Sequence, residues 1–149
     1  MDTTDDEGID SYVQIYSLPS ADFRFYPRFL ATDLAEFYFD SFRDLPFASG
    51  KVRGGSERRM SCFFSDLRNP DGSLRNYQYS GKDNPALPFP PEMRVLKDTI
   101  EAVTGHKFNA CLVNLYPDGK SVIGFHSDKE TSLVPGSLIV HQFGRRKMV

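Results

Sequence analysis

The spacing of apolar residues in this 149-residue chain changes period at a glycine. Before Gly105, Met93, Leu96, Ile100 and Val103 recur at helical intervals behind Pro91, a residue suited to a first helical turn. From Phe108 the period becomes two, so that Phe108, Ala110, Leu112, Asn114 and Tyr116 share one face of a strand. The chain therefore combines helix and sheet. An amide and a phenol on an otherwise apolar strand face need partners when buried. Either Asn114 caps the turn at Pro117 and Tyr116 packs as a core aromatic, or both face a ligand.

The flanking sequence supplies the other elements. Phe23 to Leu30 reads as a short strand broken by Pro27. A helix follows, with Asp33 as cap, Glu36 three residues on, and Leu34, Phe37, Tyr38, Phe42 and Leu45 on one face before Pro46 ends it. The runs Cys62–Phe64 and Tyr77–Tyr79 read as two strands joined by the Asn69-Pro-Asp-Gly72 turn. Pro117-Asp-Gly119 marks another turn, Val122 to His126 a further extended piece, and Ser137 to Phe143 a last strand. The expected order is helices first and strands after, an α+β layout with a β core buttressed on one side.

Composition bounds the class. A chain that is 40% hydrophobic and 26% charged is an ordinary soluble globular domain, and its length allows one sizeable core. No apolar run approaches a membrane span, and the N-terminus lacks the layout of a signal peptide. Cys62 and Cys111 each sit in an apolar, strand-like run and read as buried free thiols rather than a disulfide or a metal pair. The net charge of −2 hides an asymmetry: Asp2, Asp5, Asp6, Glu7 and Asp10 open the chain with no basic residue among them. Residues 1–20 are accordingly expected to be an acidic, disordered tail before a domain over 21–149. Lys51, Arg53, Arg58, Arg59, Arg68 and Arg75, with Arg145, Arg146 and Lys147, permit an anionic partner without requiring one.

Downstream of Asn114 and Tyr116 stands His126-Ser-Asp128. In an extended segment this spacing points both side chains the same way, which can close two corners of a metal site. Taken alone the pair is a weak motif. Its setting is more specific. Thr104 to Tyr116, Asp118-Gly119, Ile123 to Glu130 and Pro135-Gly136, together with Tyr77-Gln-Tyr-Ser-Gly81, Leu87-Pro88 and Gln142-Phe-Gly144, resemble the AlkB family of Fe(II)/2-oxoglutarate dioxygenases. The resemblance covers roughly residues 50 to 144 and is nearest to the eukaryotic-type DNA-repair members.

The resemblance implies a double-stranded β-helix, or jelly roll, with two helices supporting one side. It makes His126 and Asp128 iron ligands, and it sets Asn114 and Tyr116 against the carboxylates of 2-oxoglutarate. Tyr77, Tyr79 and Ser80 would belong to a nucleotide-recognition lid, with Arg58 or Arg59 near the target base or strand and Glu130 behind the ligand pair. A plain half-buried hairpin is the competing account of Tyr77 and Tyr79. The implied chemistry is oxidative dealkylation of bases in DNA or RNA, with Fe(II), 2-oxoglutarate and dioxygen. The implied setting is a monomer in nucleus or cytoplasm, bound to nucleic acid and not to a membrane.

The family's second His ligand and the Arg that pairs with 2-oxoglutarate fall beyond the Gly144 strand and have no counterpart here; His141 reads as a structural or exposed strand residue, and His106 as a surface one. The final strands are expected to be missing as well. The alternative is therefore a catalytically dead fragment or splice form that still binds nucleic acid. The 149-residue chain is expected to show little or no turnover of a methylated oligonucleotide, whereas a version extended through the second His and the Arg pair is active; product formation by the two chains checks this.

Overall fold

The computed structural model describes residues 12–19, 21–52, 55–79, 82–118 and 120–121. Strands β1 (Val13–Leu18) and β2 (Ala21–Phe25) form an antiparallel pair of their own. Helix α1 (Thr32–Phe42) follows, then β3 (Ala48–Val52) and the long β4 (Gly55–Ser65). Next come β5 (Tyr77–Tyr79), β6 (Lys82–Asn84) and β7 (Ala86–Leu87), then α2 (Pro91–Thr104) and β8 (Ala110–Leu115). The fold is α+β with mostly antiparallel sheets. The central one is built on β4, which pairs antiparallel with β3 and β8 and, over two residues, parallel with β7.

Several expectations need correction. Residues 13–18 fall inside the segment read as a tail, yet they form β1, because Val13, Tyr16 and Leu18 find a ladder against β2. The rest of that segment up to residue 11 lies outside the described residues. Strands precede and separate the helices, so the order is not helices first. The Asn69–Gly72 turn is present, with Gly72 donating to the Asn69 carbonyl and adopting a φ of 84°. It closes only the Arg68–Leu74 bridge, however, and the two aromatic runs do not pair. β5 pairs with β6 instead, and β4 takes its partners from farther along the chain.

Helix α2 follows the sequence closely. Pro91 opens it, and left-handed Gly105 (φ 73°) stops it, a conformation glycine adopts without the Cβ penalty. Helix α1 departs more. Its cap position is Ala31, without a side-chain hydrogen bond, and Asp33 lies inside the first turn, where its charge complements the helix dipole. Tyr38 and Phe42 are buried and Leu45 packs against the core, but Leu34 and Phe37 of the expected stripe are exposed. The helix ends at Phe42, before Pro46.

One hydrophobic cluster joins Phe29, Tyr38 and Phe42 to Cys62 and Phe64 of β4, Phe89, and Met93 and Leu96 of α2. Cys111 and Val113 of β8 pack against it. Both helices thus cover the same face of the central sheet. Cys62 and Cys111 are free thiols, and burial pushes them up to about 12 and about 11, with Cys111 adding to the rise at Cys62. Protonated at neutral pH, they behave as small hydrophobes. Among the described residues no helix is long and apolar enough to cross a membrane.

Phe64, 2% exposed, carries the centre of this cluster. Phe64→Ala is expected to cost about 3–5 kcal/mol in urea unfolding. Val95→Ala, at an exposed position of α2, is expected to change it by less than about 0.5 kcal/mol.

Candidate active site

The β4–β8 register decides which side chains meet. Ser61 pairs with Asn114, Phe63 with Leu112 and Ser65 with Ala110; between them Cys62 pairs with Val113 and Phe64 with Cys111. Directly opposed residues point to the same face, and neighbours along a strand alternate. The second set is the one buried against the helices. Ser61, Phe63, Leu112 and Asn114 therefore lie on the other face, against which neither α1 nor α2 packs among the described residues.

That face has a polar part and an aromatic part. The side-chain oxygen Oδ1 of Asn114 is buried and has no hydrogen-bond partner. Leaving such an atom unpaired costs about 1–3 kcal/mol in a folded protein, so it marks a place that a water, a ligand or another bound group can fill. Asn114 does not cap the turn at Pro117; that turn is held by Asp118, which accepts from Lys120 N–H and Ser121 Oγ–H. Two positions along β4, the Phe63 ring stacks on Tyr77 at 5.2 Å with 25° between planes. This contact ties the β5–β6 hairpin to the Asn114 face. Asp83 stiffens the hairpin by accepting from Asn76 and Gln78. Tyr116 lies just beyond β8 and is 42% exposed, so it is not the core aromatic that one reading made it.

Behind the site, Glu101 holds β8 in place. Its Oε1 accepts from Lys97 Nζ at 3.0 Å and from the Phe108 N–H at 2.9 Å, and its Oε2 accepts from Lys107 Nζ at 2.7 Å. These bonds join the last turn of α2 to the chain entering β8. The Lys107 hydrogen bond, then the Phe108 N–H and Lys97, outweigh burial and hold the carboxyl down at about 2. Partial burial opposes the charge on Lys97, but its bonds to Glu101 and Asp98 prevail and raise its pKa.

The structure thus brings Asn114 and Tyr77 to one face, with Tyr116 at its end and Arg59 half-buried in β4. The backbone of Arg58 is in β4 and that of Tyr79 in β5, but their side chains lie outside the described ones. Ser80, His126, Asp128, Glu130 and His141 lie outside the described residues altogether. His106 is exposed, as expected. Among the described residues no group of three His, Cys, Asp or Glu could hold a metal. Ser61 and Phe63 were missed by the sequence reading. The signal was the alternation along Met60 to Ser65, which the adjacent phenylalanines at 63 and 64 blur.

Residues 22–141 match the 2OG-Fe(II) oxygenase superfamily. Human DNA oxidative demethylase ALKBH2 is 41% identical over 63 residues, 42% of this chain and 24% of that protein. Human alpha-ketoglutarate-dependent dioxygenase alkB homolog 3 is 51% identical over 43 residues, 29% of this chain and 15% of its own length. Uncharacterized protein R406 of Acanthamoeba polyphaga mimivirus is 34% identical over 77 residues, 46% of this chain and 40% of that one. The chain belongs to the AlkB family of Fe(II)/2-oxoglutarate dioxygenases within that superfamily. It spans about a quarter of the length of the ALKBH2 proteins it matches.

A carboxyl held at about 2, below its ordinary 4.5, contributes stability that is complete above about 4.5 and is lost as pH falls toward 2. Thermal unfolding midpoints of the native chain are expected to drop across that window. Glu101→Gln is expected to lower the midpoint at neutral pH and to remove this part of the acid dependence.

Proposed function

We propose that the domain is a double-stranded β-helix whose β4–β8 face opposite α1 and α2 lines an active site for oxidative dealkylation of nucleobases in DNA or RNA. The observation that carries this is the buried, unpartnered Oδ1 of Asn114, on a strand face turned away from the helix-packed core. The described residues fit a polar co-substrate there. Asn114 and Tyr116 hold the carboxylates of 2-oxoglutarate, and His126 and Asp128 serve as two ligands of an Fe(II) ion. When bound, iron, 2-oxoglutarate and dioxygen supply the oxidation of the alkyl carbon.

The chain's own side chains bind and place the base. A base leaves the stack before its alkyl group can be reached, and aromatic rings stabilise it once extruded. Tyr77, whose ring stacks on Phe63, does that work on the Asn114 face, with Tyr79 and Ser80 beside it in sequence. Arg58 neutralises a phosphate of the strand, and Glu130 lies next to the base or the ligand loop. The partner is alkylated nucleic acid, met by a monomer in nucleus or cytoplasm. The ALKBH2 relatives are DNA oxidative demethylases, which supports the substrate class.

The test is release of formaldehyde, matched by loss of the methyl mark, from methylated single- and double-stranded oligonucleotides in the presence of Fe(II) and 2-oxoglutarate. The chain extended through the second His and the Arg pair is expected to give product, and its His126→Ala and Asp128→Ala variants none. Absence of product from the extended chain on every methylated oligonucleotide overturns the assignment.

A further inference from the structure

Ser61 stands directly across from Asn114 in the β4–β8 ladder, and Ala48 of β3 stands across from Ser61 on its other side. The three make one rung on the face opposite α1 and α2. Opposed residues in such a rung have β-carbons about 4.5–5.5 Å apart. Ala48 contributes no polar side-chain atom, so Asn114 is the polar neighbour of the Ser61 hydroxyl within the rung. Asn114, for its part, has the buried Oδ1 without a partner.

A carboxylate only accepts hydrogen bonds, so an asparagine that holds one offers its Nδ2 hydrogens. Its Oδ1 then points away from the ligand and, in a buried site, requires a separate donor. A serine hydroxyl is such a donor, free to rotate its proton toward the acceptor. We infer that Ser61 is a positioning residue: its hydroxyl donates to Oδ1 of Asn114 and so presents Nδ2 to a carboxylate of bound 2-oxoglutarate. This rests on the placement of 2-oxoglutarate at Asn114 proposed above. Forming the bond takes side-chain rotation alone, because the ladder already sets the two residues opposite each other.

The test is calorimetric titration of 2-oxoglutarate, with Mn(II) present, into the chain extended through the second His and the Arg pair and into its variants. Ser61→Ala is expected to weaken binding about three- to ten-fold, the range one hydrogen bond supplies, while Ser61→Thr keeps the hydroxyl and the affinity. Ser61→Cys retains the volume with a weaker donor and reads the same quantity should the alanine variant fold poorly. If Ser61 acts through Asn114, Ser61→Ala costs nothing further in an Asn114→Ala background. An equal loss in both backgrounds, or full affinity in Ser61→Ala, overturns the role of Ser61 and leaves the co-substrate placement standing. Unaltered affinity in Asn114→Ala, or no binding by the unsubstituted chain, overturns the placement itself and the role of Ser61 with it.

Discussion

The pairing of β4 with β8 is the constraint on which the other features depend. A slip of one residue in that ladder exchanges the two faces of a strand. Asn114 would then turn into the cluster around Phe64 and Met93, and Val113 would take its place on the opposite face. Packing forbids the exchange, since Cys62, Phe64, Cys111 and Val113 fit a hydrophobic layer that an amide does not. The cluster thereby sets the site from the opposite face of the sheet. Helices occupy one face, and polar chemistry is left with the other.

The connection into β8 strengthens that setting. Glu101 is a nearly buried charge, yet three donors from two lysines and a backbone N–H satisfy it. A buried carboxylate without such donors would be strongly unfavourable. With them it acts as a bracket between a helix end and a strand start, reaching Phe108 two residues before the ladder begins. The left-handed Gly105 turns the chain within the same bracket. Helix stop, ion cluster and strand entry form one joint.

What the sequence showed was whatever depends on neighbours within a few residues. Helix α2, its glycine stop, the alternation of β8 and the Asn69–Gly72 turn were all legible, because period and turn chemistry are local. Strand partners were not. The aromatic run at residues 77–79 looked like the mate of 62–64 across a strong turn, but the ladder partner of β4 lay beyond α2. The stripe on α1 was also overread: helical spacing selects a face, but how much of that face is covered depends on tertiary packing. Leu34 and Phe37 stay at the surface for that reason. For the site, Asn114 stood out as a polar residue on an apolar strand. Ser61 did not, since serine in a strand draws no notice until its partner across the ladder is known. Family likeness supplied the roles proposed for His126 and Asp128; spacing alone could not.

The same ladder has a consequence for how the chain is made. Residues 60–65 wait for residues 110–115, roughly fifty positions later, and such distant closures form slowly. During synthesis α1, β3 and β4 emerge before α2 and β8, so Cys62 and Phe64 have only the α1 part of their cover until α2 and then β8 arrive. The rung that joins Ser61 to Asn114 is thus among the last parts of the described fold to be completed. A nascent chain at that stage carries an open apolar strand edge, and the interval before β8 leaves the ribosome is when it is most exposed to wrong pairing.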